Sequence, residues 1–486
     1  MISVDLDEIR RRQAEQLEQA DLDVLVVGGG IVGAGVARDA AMRGLSTALV
    51  EQHDFAFGTS SRTSRLLHGG LRYLAQGRIG LVYEASREKG ILHRIAPHLA
   101  EPLPFVFPGY RRSGWPLWQL RVGVKIYDLL CGGRNLGPSS SMSPSDVLRR
   151  LPEPKPKGLN GAVRYYDGLT NDARLVLDTL RSAVKTGAAI CNYTRLESAV
   201  PDAGRWTCQV RDREADRERT VRARAVVNAT GPWTQSLPES SIRLRLTKGI
   251  HLVIEHEVLP ILDAVVMTQA NRILFAIPWG ERVILGTTDT DYDGPLDQVP
   301  VTRDDVDCVL DVVNEAFPSA RIDRTHIVSS WAGLRPLVAS VKGGPSDISR
   351  AHEIRQPKAG WFDVAGGKLT TYRLIAEQVV DRVANHLGKK TMPCTTATEP
   401  ILAADEVQGL SGILPPEVRP EVVEHYCRSE WAAHLDDVMI RRTNWRHYHR
   451  NAGEIARQVA DWMAEIFHWD AARRAEELIR YQQSAG

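Results

Sequence analysis

The 486-residue sequence predicts a mixed α/β fold that ends in a helical region. Three observations support this fold class. An apolar strand pattern, a glycine-rich turn and a helix pattern follow one another within residues 23–51. Apolar and polar residues alternate in several stretches of 241–338, as they do in antiparallel sheets. From residue 393 onwards apolar residues recur at helical spacing, and Ile455 and Val459 share one such face.

Length and composition restrict the class of protein. At roughly 150 residues per domain, the length corresponds to two or three domains. The hydrophobic content of 43% and charged content of 25% are those of a water-soluble globular protein, and a net charge of +1 gives no reason to expect a nucleic-acid partner. The six cysteines are scattered without a C-x-x-C pair, which favours reduced thiols in a cytoplasmic protein over disulfides or a metal site. We also expect no signal peptide and no membrane-spanning helix.

Residues 23–51 carry the pattern of a dinucleotide-binding β-α-β unit. The apolar run Val24–Val27 predicts a strand buried on both faces, and Gly28, Gly30 and Gly33 follow it as G-x-G-x-x-G. The first glycine permits a tight turn, the second admits a pyrophosphate to the backbone, and the third allows close packing of helix and strand. Glu51 ends the second strand, where a carboxylate accepts a hydrogen bond from a ribose hydroxyl. This Rossmann-like pattern favours FAD or NAD over NADP and does not decide between them.

The next stretch, "GTSSRTSRLLHGGLRYL" (58–74), combines hydroxyls, arginines and a Gly-Gly pair. It shows neither the alternation of a strand nor the apolar stripe of a helix. Its groups suit a polyanionic ligand, although a solvated surface loop is the alternative. Two later stretches end strands in glycine turns, "AVVNATGPW" (225–233) and "GGKLTTYR" (366–373), and the second turn leads into a helix whose N-terminus could face a cofactor or an anion.

With these stretches in this order, the sequence resembles the FAD-dependent, membrane-associated glycerol-3-phosphate dehydrogenases. The resemblance rests on the stretches at 58–74 and 366–373 and on "VNATGPW", "KGIHLVI", "GTTDTDYDG" and "GLRPL", and it covers about residues 20–380. It implies FAD as cofactor, a two-dinucleotide-binding type of FAD domain, an interleaved antiparallel substrate domain and a C-terminal helical domain. The implied boundaries are 20–90, 160–240 and 330–390 for the FAD domain, 91–159 and 241–329 for the substrate domain, and 393–486 for the helical domain.

The resemblance also implies roles for individual residues. His251 would be the general base and Arg335 would hold substrate oxygens at the reacting centre. The implied substrate-binding residues are Arg72, Tyr73, Arg350 and Lys368. The implied cofactor-binding residues are Gly28, Gly30, Gly33, Glu51, Ser60, Ser61, His68, Gly69, Gly70, Leu369 and Thr370. These types suit the chemistry, because a phosphomonoester requires cations and a histidine is a base of near-neutral pKa. Arg350 precedes "AHEI" where the family has Asp and an aromatic residue, so its orientation is open.

The implied activity is oxidation of sn-glycerol 3-phosphate to dihydroxyacetone phosphate, with electrons passed to a membrane quinone. The implied location is cytoplasmic and peripheral on the cytoplasmic membrane face, with "RRSGWPLWQLRVGVKIYDLL" (111–130) as the candidate contact or, alternatively, an ordinary half-buried segment. The alternatives are a glycerol-3-phosphate oxidase that uses oxygen, an amino-acid or sarcosine-type oxidase, and a flavin-bound sensor or assembly protein. Residues 393–430 match the family poorly, so the oligomeric state, a homodimer among the options, and the quinone coupling stay open.

Overall fold

The computed structural model describes residues 15–17, 21–70, 74, 77–111, 115–132, 135–269, 272–338 and 352–484. The strands are β1 (Leu22–Val27), β2 (Thr47–Val50), β3 (Leu66–Leu67), β4 (Glu101–Tyr110), β5 (Ser140–Met142), β6 (Leu159–Leu169), β7 (Ala189–Cys191), β8 (Thr194–Asp202), β9 (Arg205–Asp212), β10 (Arg217–Asn228), β11 (Leu244–Glu255), β12 (Ala264–Gln269), β13 (Arg272–Trp279), β14 (Arg282–Gly286), β15 (Thr290–Asp291), β16 (Ile327–Val338), β17 (Glu353–Lys358) and β18 (Trp361–Ala365).

The helices are α1 (Ile31–Met42), α2 (Ile79–Ile95), α3 (Leu117–Leu130), α4 (Pro144–Arg150), α5 (Asp172–Lys185), α6 (Arg303–Ala316), α7 (Tyr372–Leu387), α8 (Ala404–Val407), α9 (Pro420–Ser429), α10 (Trp445–Tyr448), α11 (Ala452–Phe467) and α12 (Ala471–Gln483). Short 3-10 turns and one π-helical segment, Asp437–Arg442, lie between them.

The first sheet has the strand order β17-β18-β10-β1-β2-β7. Strands β18, β10, β1, β2 and β7 run parallel, and Val24 of β1 lies between Ala225 of β10 and Thr47 of β2. Every residue of β1 is buried, as expected for a strand covered on both faces. Helix α1 packs against α5 and α7 on one face, and the antiparallel β8–β9–β10 ribbon packs on the other. The β-α-β unit predicted from the glycine motif is therefore confirmed.

The second sheet has the order β15-β11-β14-β13-β12-β4-β6-β3, with β16 also paired to β11 and β5 to β6. All these pairs are antiparallel except β12–β4. Because β6 and β16 belong to this sheet, the predicted boundaries at 159/160 and 329/330 both fall within its strands. These two strands end at Leu169 and Val338, and the domain boundaries themselves stay a prediction.

The C-terminal region is helical, as predicted, and has its own apolar core between α9, α11 and α12. The predicted apolar face of α11 is inward, with Ile455, Val459 and Ile466 all buried. Buried ion pairs join this region to the first sheet, among them Asp54 with Arg441 and Arg442. The C-terminal helices thus reach the loop that follows β2, where Glu51 lies.

No helix within the described ranges is long and apolar enough to cross a bilayer.

Candidate active site

A groove of about 600 Å³ runs along the carboxyl ends of the first sheet. It begins at Glu51, passes the β1–α1 turn, and ends at Gly366–Leu369 before α7. Such crevices at the ends of parallel strands are where dinucleotides bind in this fold class. The groove therefore lies where the glycine motif predicts it.

Each motif glycine has a separate physical reason. Gly28 has a φ of +111°, and a Cβ there would lie 2.6 Å from the carbonyl oxygen of Ala229. A Cβ on Gly33 would overlap the carbonyl oxygen of Gly28, so this glycine lets α1 pack on the turn. A Cβ on Gly30 would meet only Ser60 Oγ, at 3.2 Å, and would otherwise fill the groove. The residues present therefore fit a pyrophosphate lying against the backbone at Gly30.

Ser60 and Glu51 are fixed by backbone donors beside this groove. The N–H of Ile31 donates to Ser60 Oγ at 3.0 Å, so the serine occupies the N-terminus of α1 and keeps its own proton for a ligand. The N–H groups of Gly29 and His53 donate to the Glu51 carboxylate at 2.7 and 2.8 Å. Burial raises the pKa of Glu51, and these two hydrogen bonds oppose that effect. The carboxylate is thus held rigidly at the position expected for a ribose contact.

The other predicted cofactor residues divide into two groups. The His68 N–H donates to Thr370 Oγ1 at 3.0 Å and so joins these two residues. Both line the second cavity described below, together with Gly70 and Leu369. Ser61 and Gly69 are buried but do not line either cavity. At Gly69 a Cβ would overlap the Tyr127 hydroxyl. The protein itself therefore explains this glycine, in addition to the predicted approach of a flavin.

The second cavity, of about 280 Å³, joins the groove at Gly367–Leu369. Its polar lining includes Arg62, Ser64, His251, Thr287, Arg335 and Lys368. Its apolar lining is largely aromatic and includes Phe105, Phe107, Trp115, Tyr165, Ile273 and Phe275. The cavity thus combines a cationic set of residues, called the cationic end, with an aromatic cluster, called the apolar end, and it shares a wall with the groove.

His251 lies on β11 and is only 2% exposed. Its ring stacks on Trp331 at 5.2 Å between centroids, and its Nε2 lies 2.8 Å from Ser64 Oγ. Burial, followed by the charges of Arg335 and Arg65, lowers the pKa of His251 to about 3. The imidazole is therefore neutral at ordinary pH, and its pKa lies below the near-neutral value that the sequence led us to expect of a base.

Arg335 lies on β16, opposite Thr247 of β11. Its guanidinium donates to Thr287 Oγ1 at 3.0 Å and to the Thr288 carbonyl at 3.2 Å, and it pairs with Asp289 at 3.2 Å. These contacts fix the guanidinium plane, and Asp289 offsets part of its charge. Lys368 lines both cavities and therefore lies where they join. Arg72, Tyr73 and Arg350, the other predicted substrate ligands, lie outside the described residues.

Sequence reasoning missed Ser64, which lines the cavity, and Arg65, which lies next to it in the chain. Arg65 has no exposed surface, and its guanidinium lies 4.2 Å from the Trp279 ring and 5.1 Å from the Trp331 ring. It also donates to Asn444 Oδ1 at 2.5 Å, which joins the site to the C-terminal helices. Ser64 and Arg65 both lie in the 58–74 stretch, whose composition marked the segment but could not assign its individual side chains.

Comparison with known proteins gives concordant matches. Residues 23–382 match the family model of FAD dependent oxidoreductases, and residues 370–474 match the C-terminal domain of alpha-glycerophosphate oxidase. The chain is 38% identical over 400 residues to aerobic glycerol-3-phosphate dehydrogenase of Staphylococcus aureus, which covers 80% of this chain and 72% of the relative.

Two solved structures show the extent of the likeness. The X-ray structure of the glycerol-3-phosphate dehydrogenase from Bacillus halodurans, complexed with FAD, aligns with a TM-score of 0.79 and 30% identity, covering 100% of this chain and 98% of that one. Glycine oxidase from Geobacillus kaustophilus aligns with a TM-score of 0.58 and 20% identity over 75% of this chain and 95% of that chain, and it shares the fold alone.

Proposed function

Because the chain belongs to the glycerol-3-phosphate dehydrogenases among the FAD-dependent oxidoreductases, we propose that it oxidises sn-glycerol 3-phosphate to dihydroxyacetone phosphate and passes the electrons to a membrane quinone. One observation carries the proposal. The cavity that contains Arg335, Lys368 and neutral His251 opens into the dinucleotide groove at Gly367–Leu369. A phosphorylated alcohol bound there would lie next to the groove whose residues would hold FAD.

The cationic end binds the substrate. Arg335, held by Thr287 and Thr288, presents a planar donor set that suits an oxyanion, and Lys368 adds a second positive charge at the junction. Arg72 and Arg350 stay predicted additions to this set. Oxidation requires that the substrate hold its C2 hydrogen towards the flavin, so the phosphate contacts serve orientation as well as affinity.

The proton leaves through the chain's own residues. FAD, when bound, supplies the acceptor for the hydride from C2. His251 accepts the hydroxyl proton, since its neutral ring has no proton on one nitrogen and lies in the wall of the cavity. Nδ1 of His251 has no hydrogen-bond partner among the described residues, whereas Nε2 faces Ser64. The proposed route for the proton runs through the Ser64 hydroxyl to Nε2, and it requires the tautomer that carries its proton on Nδ1.

The test is a spectrum of the purified protein under anaerobic conditions. The visible flavin band should bleach on addition of sn-glycerol 3-phosphate and stay unchanged with glycerol or with glycine. Bleaching by glycine derivatives alone would instead identify an amino-acid oxidase. Bound FAD that no polyol phosphate reduces would identify a flavin-bound sensor or assembly protein.

The apolar end of the cavity supports a quinone as electron acceptor. Phe105 stacks on Tyr165 at 5.3 Å and meets Phe275 edge-on at 5.9 Å, and Phe107 lies 6.0 Å from Trp115. A small, hydrophilic phosphorylated triol gains little from such a surface, while a planar apolar ring is stabilised by it. Trp115 comes just before α3, so this end of the cavity lies next to that helix.

Stopped-flow mixing separates the acceptors. Enzyme reduced with sn-glycerol 3-phosphate should reoxidise rapidly with a short-chain quinone and slowly with oxygen. The Phe275→Ala variant should slow reoxidation by quinone and leave reduction by substrate unchanged. Rapid turnover with oxygen alone would establish an oxidase and end the quinone proposal.

The outer face of α3 supports contact with a membrane surface. Trp118, Val122, Ile126 and Leu129 follow one another at helical spacing and are 64%, 50%, 39% and 78% exposed. Exposed Arg121 lies beside this stripe, a combination typical of helices that lie in a headgroup layer. The predicted cytoplasmic location and homodimer are tested by cell fractionation and by light scattering of the purified protein.

A further inference from the structure

Three buried polar side chains meet directly behind the Gly69–Gly70 turn. Lys89 lies on α2, Tyr127 on α3 and Asp167 on β6, so distant parts of the chain converge here. Lys89 and Tyr127 are 0% exposed and Asp167 is 3% exposed. Burial of such groups is unfavourable unless their donors and acceptors are paired. Hydrogen bonds within the cluster must therefore offset the cost of burying these groups.

The Tyr127 hydroxyl is the centre of this cluster. It donates to Asp167 Oδ1 at 2.5 Å and accepts from the Gly69 N–H at 2.9 Å and from Lys89 Nζ at 3.2 Å. Lys89 also donates to Asp167 Oδ1 at 2.9 Å. A phenol has one donor and two acceptor positions, and all three are used. Burial, then the charge of Asp167, raises the pKa of Tyr127 well above its usual value, so the hydroxyl keeps the proton that it donates.

The cluster reaches the site in two ways. Asp167 lines the substrate cavity, and the Gly69 amide lies between His68 and Gly70, which both line it. Thr370 holds the preceding residue, His68, from the opposite side, through the His68 N–H. A side chain on Gly69 would overlap the Tyr127 hydroxyl and lie 2.7 Å from Ser86 Oγ, so the turn is pressed against the cluster. Gly70, with a φ of +78°, then lines the cavity. The backbone at 68–70 is thus held from both sides.

We propose that Tyr127, fixed by Lys89 and Asp167, is a positioning residue that sets the His68–Gly70 backbone against the substrate cavity. The inference deepens the proposed function and rests on it for its kinetic part. Tyr127 lines neither cavity and acts through the Gly69 amide.

The test uses Tyr127→Phe in the FAD-loaded full chain, with Tyr83→Phe as the matched control. Tyr83 lies on α2 and is 51% exposed, so the same loss of a hydroxyl occurs away from the turn. Hydrogen–deuterium exchange of a peptide that spans residues 66–70 reports on the Gly69 amide directly. Steady-state kinetics with sn-glycerol 3-phosphate and the flavin spectrum report on the site.

In Tyr127→Phe we expect about tenfold faster exchange in this peptide and about a tenfold higher KM or slower flavin reduction, with FAD content retained. The control should match the unaltered protein in all three. Unchanged exchange, or faster exchange with normal kinetics, would overturn the proposal. If Tyr127→Phe does not fold, Asp167→Asn should speed exchange of the same peptide, because the acceptor that fixes Tyr127 loses its charge. Asp167 itself lines the cavity, so this variant is judged by exchange and not by kinetics, and unchanged exchange in it would overturn the proposal. If the flavin of the unaltered protein did not bleach with substrate, the proposed function would be rejected. The exchange experiment would still test whether Tyr127 holds the Gly69 amide.

Discussion

The hydroxyl of Ser64 lies 2.8 Å from Nε2 of His251, in the wall that the two residues share. Ser64 comes from the loop between β2 and β3, whereas His251 lies in the middle of β11, 187 residues later. The contact ties the segment next to the dinucleotide groove to the substrate sheet. Ser64 is also the side chain that contacts Nε2 of His251 among the described residues.

Replacing Ser64 with alanine should slow flavin reduction by about tenfold or more, because Nε2 loses its hydrogen bond and its route to the substrate. KM for sn-glycerol 3-phosphate should change little, since the phosphate contacts lie elsewhere. Anaerobic stopped-flow measures the rate directly. Ser64→Thr keeps a hydroxyl and is the control, and equal rates in the alanine and threonine variants would remove Ser64 from the proton route.

The free energy of unfolding should depend on pH through the protonation of His251. The pKa of its ring is about 3 in the folded protein and about 6.5 in the unfolded chain. Between these values the unfolded chain binds a proton that the folded protein does not. Stability therefore falls as pH decreases below about 6.5, by up to about 1.4 kcal/mol per pH unit from this group.

Thermal unfolding of the FAD-bound protein and of His251→Gln, from about pH 7 to about pH 5, measures this contribution. The melting temperature of the unaltered protein should fall more steeply with acid than that of the variant. Parallel curves would mean that His251 titrates normally and that its assignment as a neutral base is wrong.

Arg335 should contribute mainly to substrate binding. Arg335→Lys cannot keep the bonds to Thr287 and Thr288 and still present a planar pair of donors, so KM should rise roughly 10- to 100-fold. Arg245→Lys is the matched control, because Arg245 is also paired with an aspartate, Asp291, but at the exposed edge of the same sheet. A normal KM in Arg335→Lys would place the phosphate elsewhere in the cavity.

Local features of the sequence predicted the cofactor groove well. The requirement for glycine at Gly28 and Gly33 follows from backbone contacts within a short β-α turn, and the carboxylate of Glu51 follows from the end of the next strand. Such signals depend on neighbours in the chain. They could be recognised before the fold was known.

The side-chain partnerships of the site could not be predicted in the same way. Ser64 with His251, and Arg65 with Asn444, join residues that only the tertiary fold brings together. The predicted 159/160 boundary lies within β6, and only the pairing of this strand with β4 shows to which sheet its residues belong. The ion pair between Asp289 and Arg335 could likewise not be predicted from the stretch "GTTDTDYDG", which contains Asp289.

The ion pairs of Asp54 should hold the C-terminal helices to the cofactor side. Asp54 is fully buried and pairs with Arg441 and Arg442. Burial alone would raise the pKa of Asp54, but the two guanidinium groups outweigh that effect and lower it to about 2. Asp54→Asn removes the carboxylate paired with buried Arg442, while Arg441 keeps Asp436 and Asp437, and it should reduce the free energy of unfolding by about 3–5 kcal/mol. Asp216→Asn, which breaks an exposed pair with Arg211, should leave thermal unfolding unchanged. Similar melting temperatures for both variants would contradict this assignment.

The exposed face of α3 should bind anionic vesicles. Trp118 and Leu129 are the most exposed members of its apolar stripe, whereas Trp115, in the same candidate segment 111–130, is half-buried in the cavity wall. The double variant Trp118→Ser/Leu129→Ser should therefore reduce vesicle co-sedimentation by about tenfold. Flavin reduction by sn-glycerol 3-phosphate should persist, because neither side chain reaches the site.

Val200→Ser is the control for this experiment, since Val200 is 58% exposed on β8 of the other sheet. Binding of the unaltered protein should also weaken with added salt, because the cations beside the stripe face anionic headgroups. If the double variant sediments like the unaltered protein, α3 is not the membrane contact. Strong binding to neutral vesicles that salt does not change would mean that the apolar stripe acts without the cations. Loss of binding that also slows reoxidation by long-chain quinone, but not by a short-chain analogue, would connect the lipid surface to the aromatic end of the cavity.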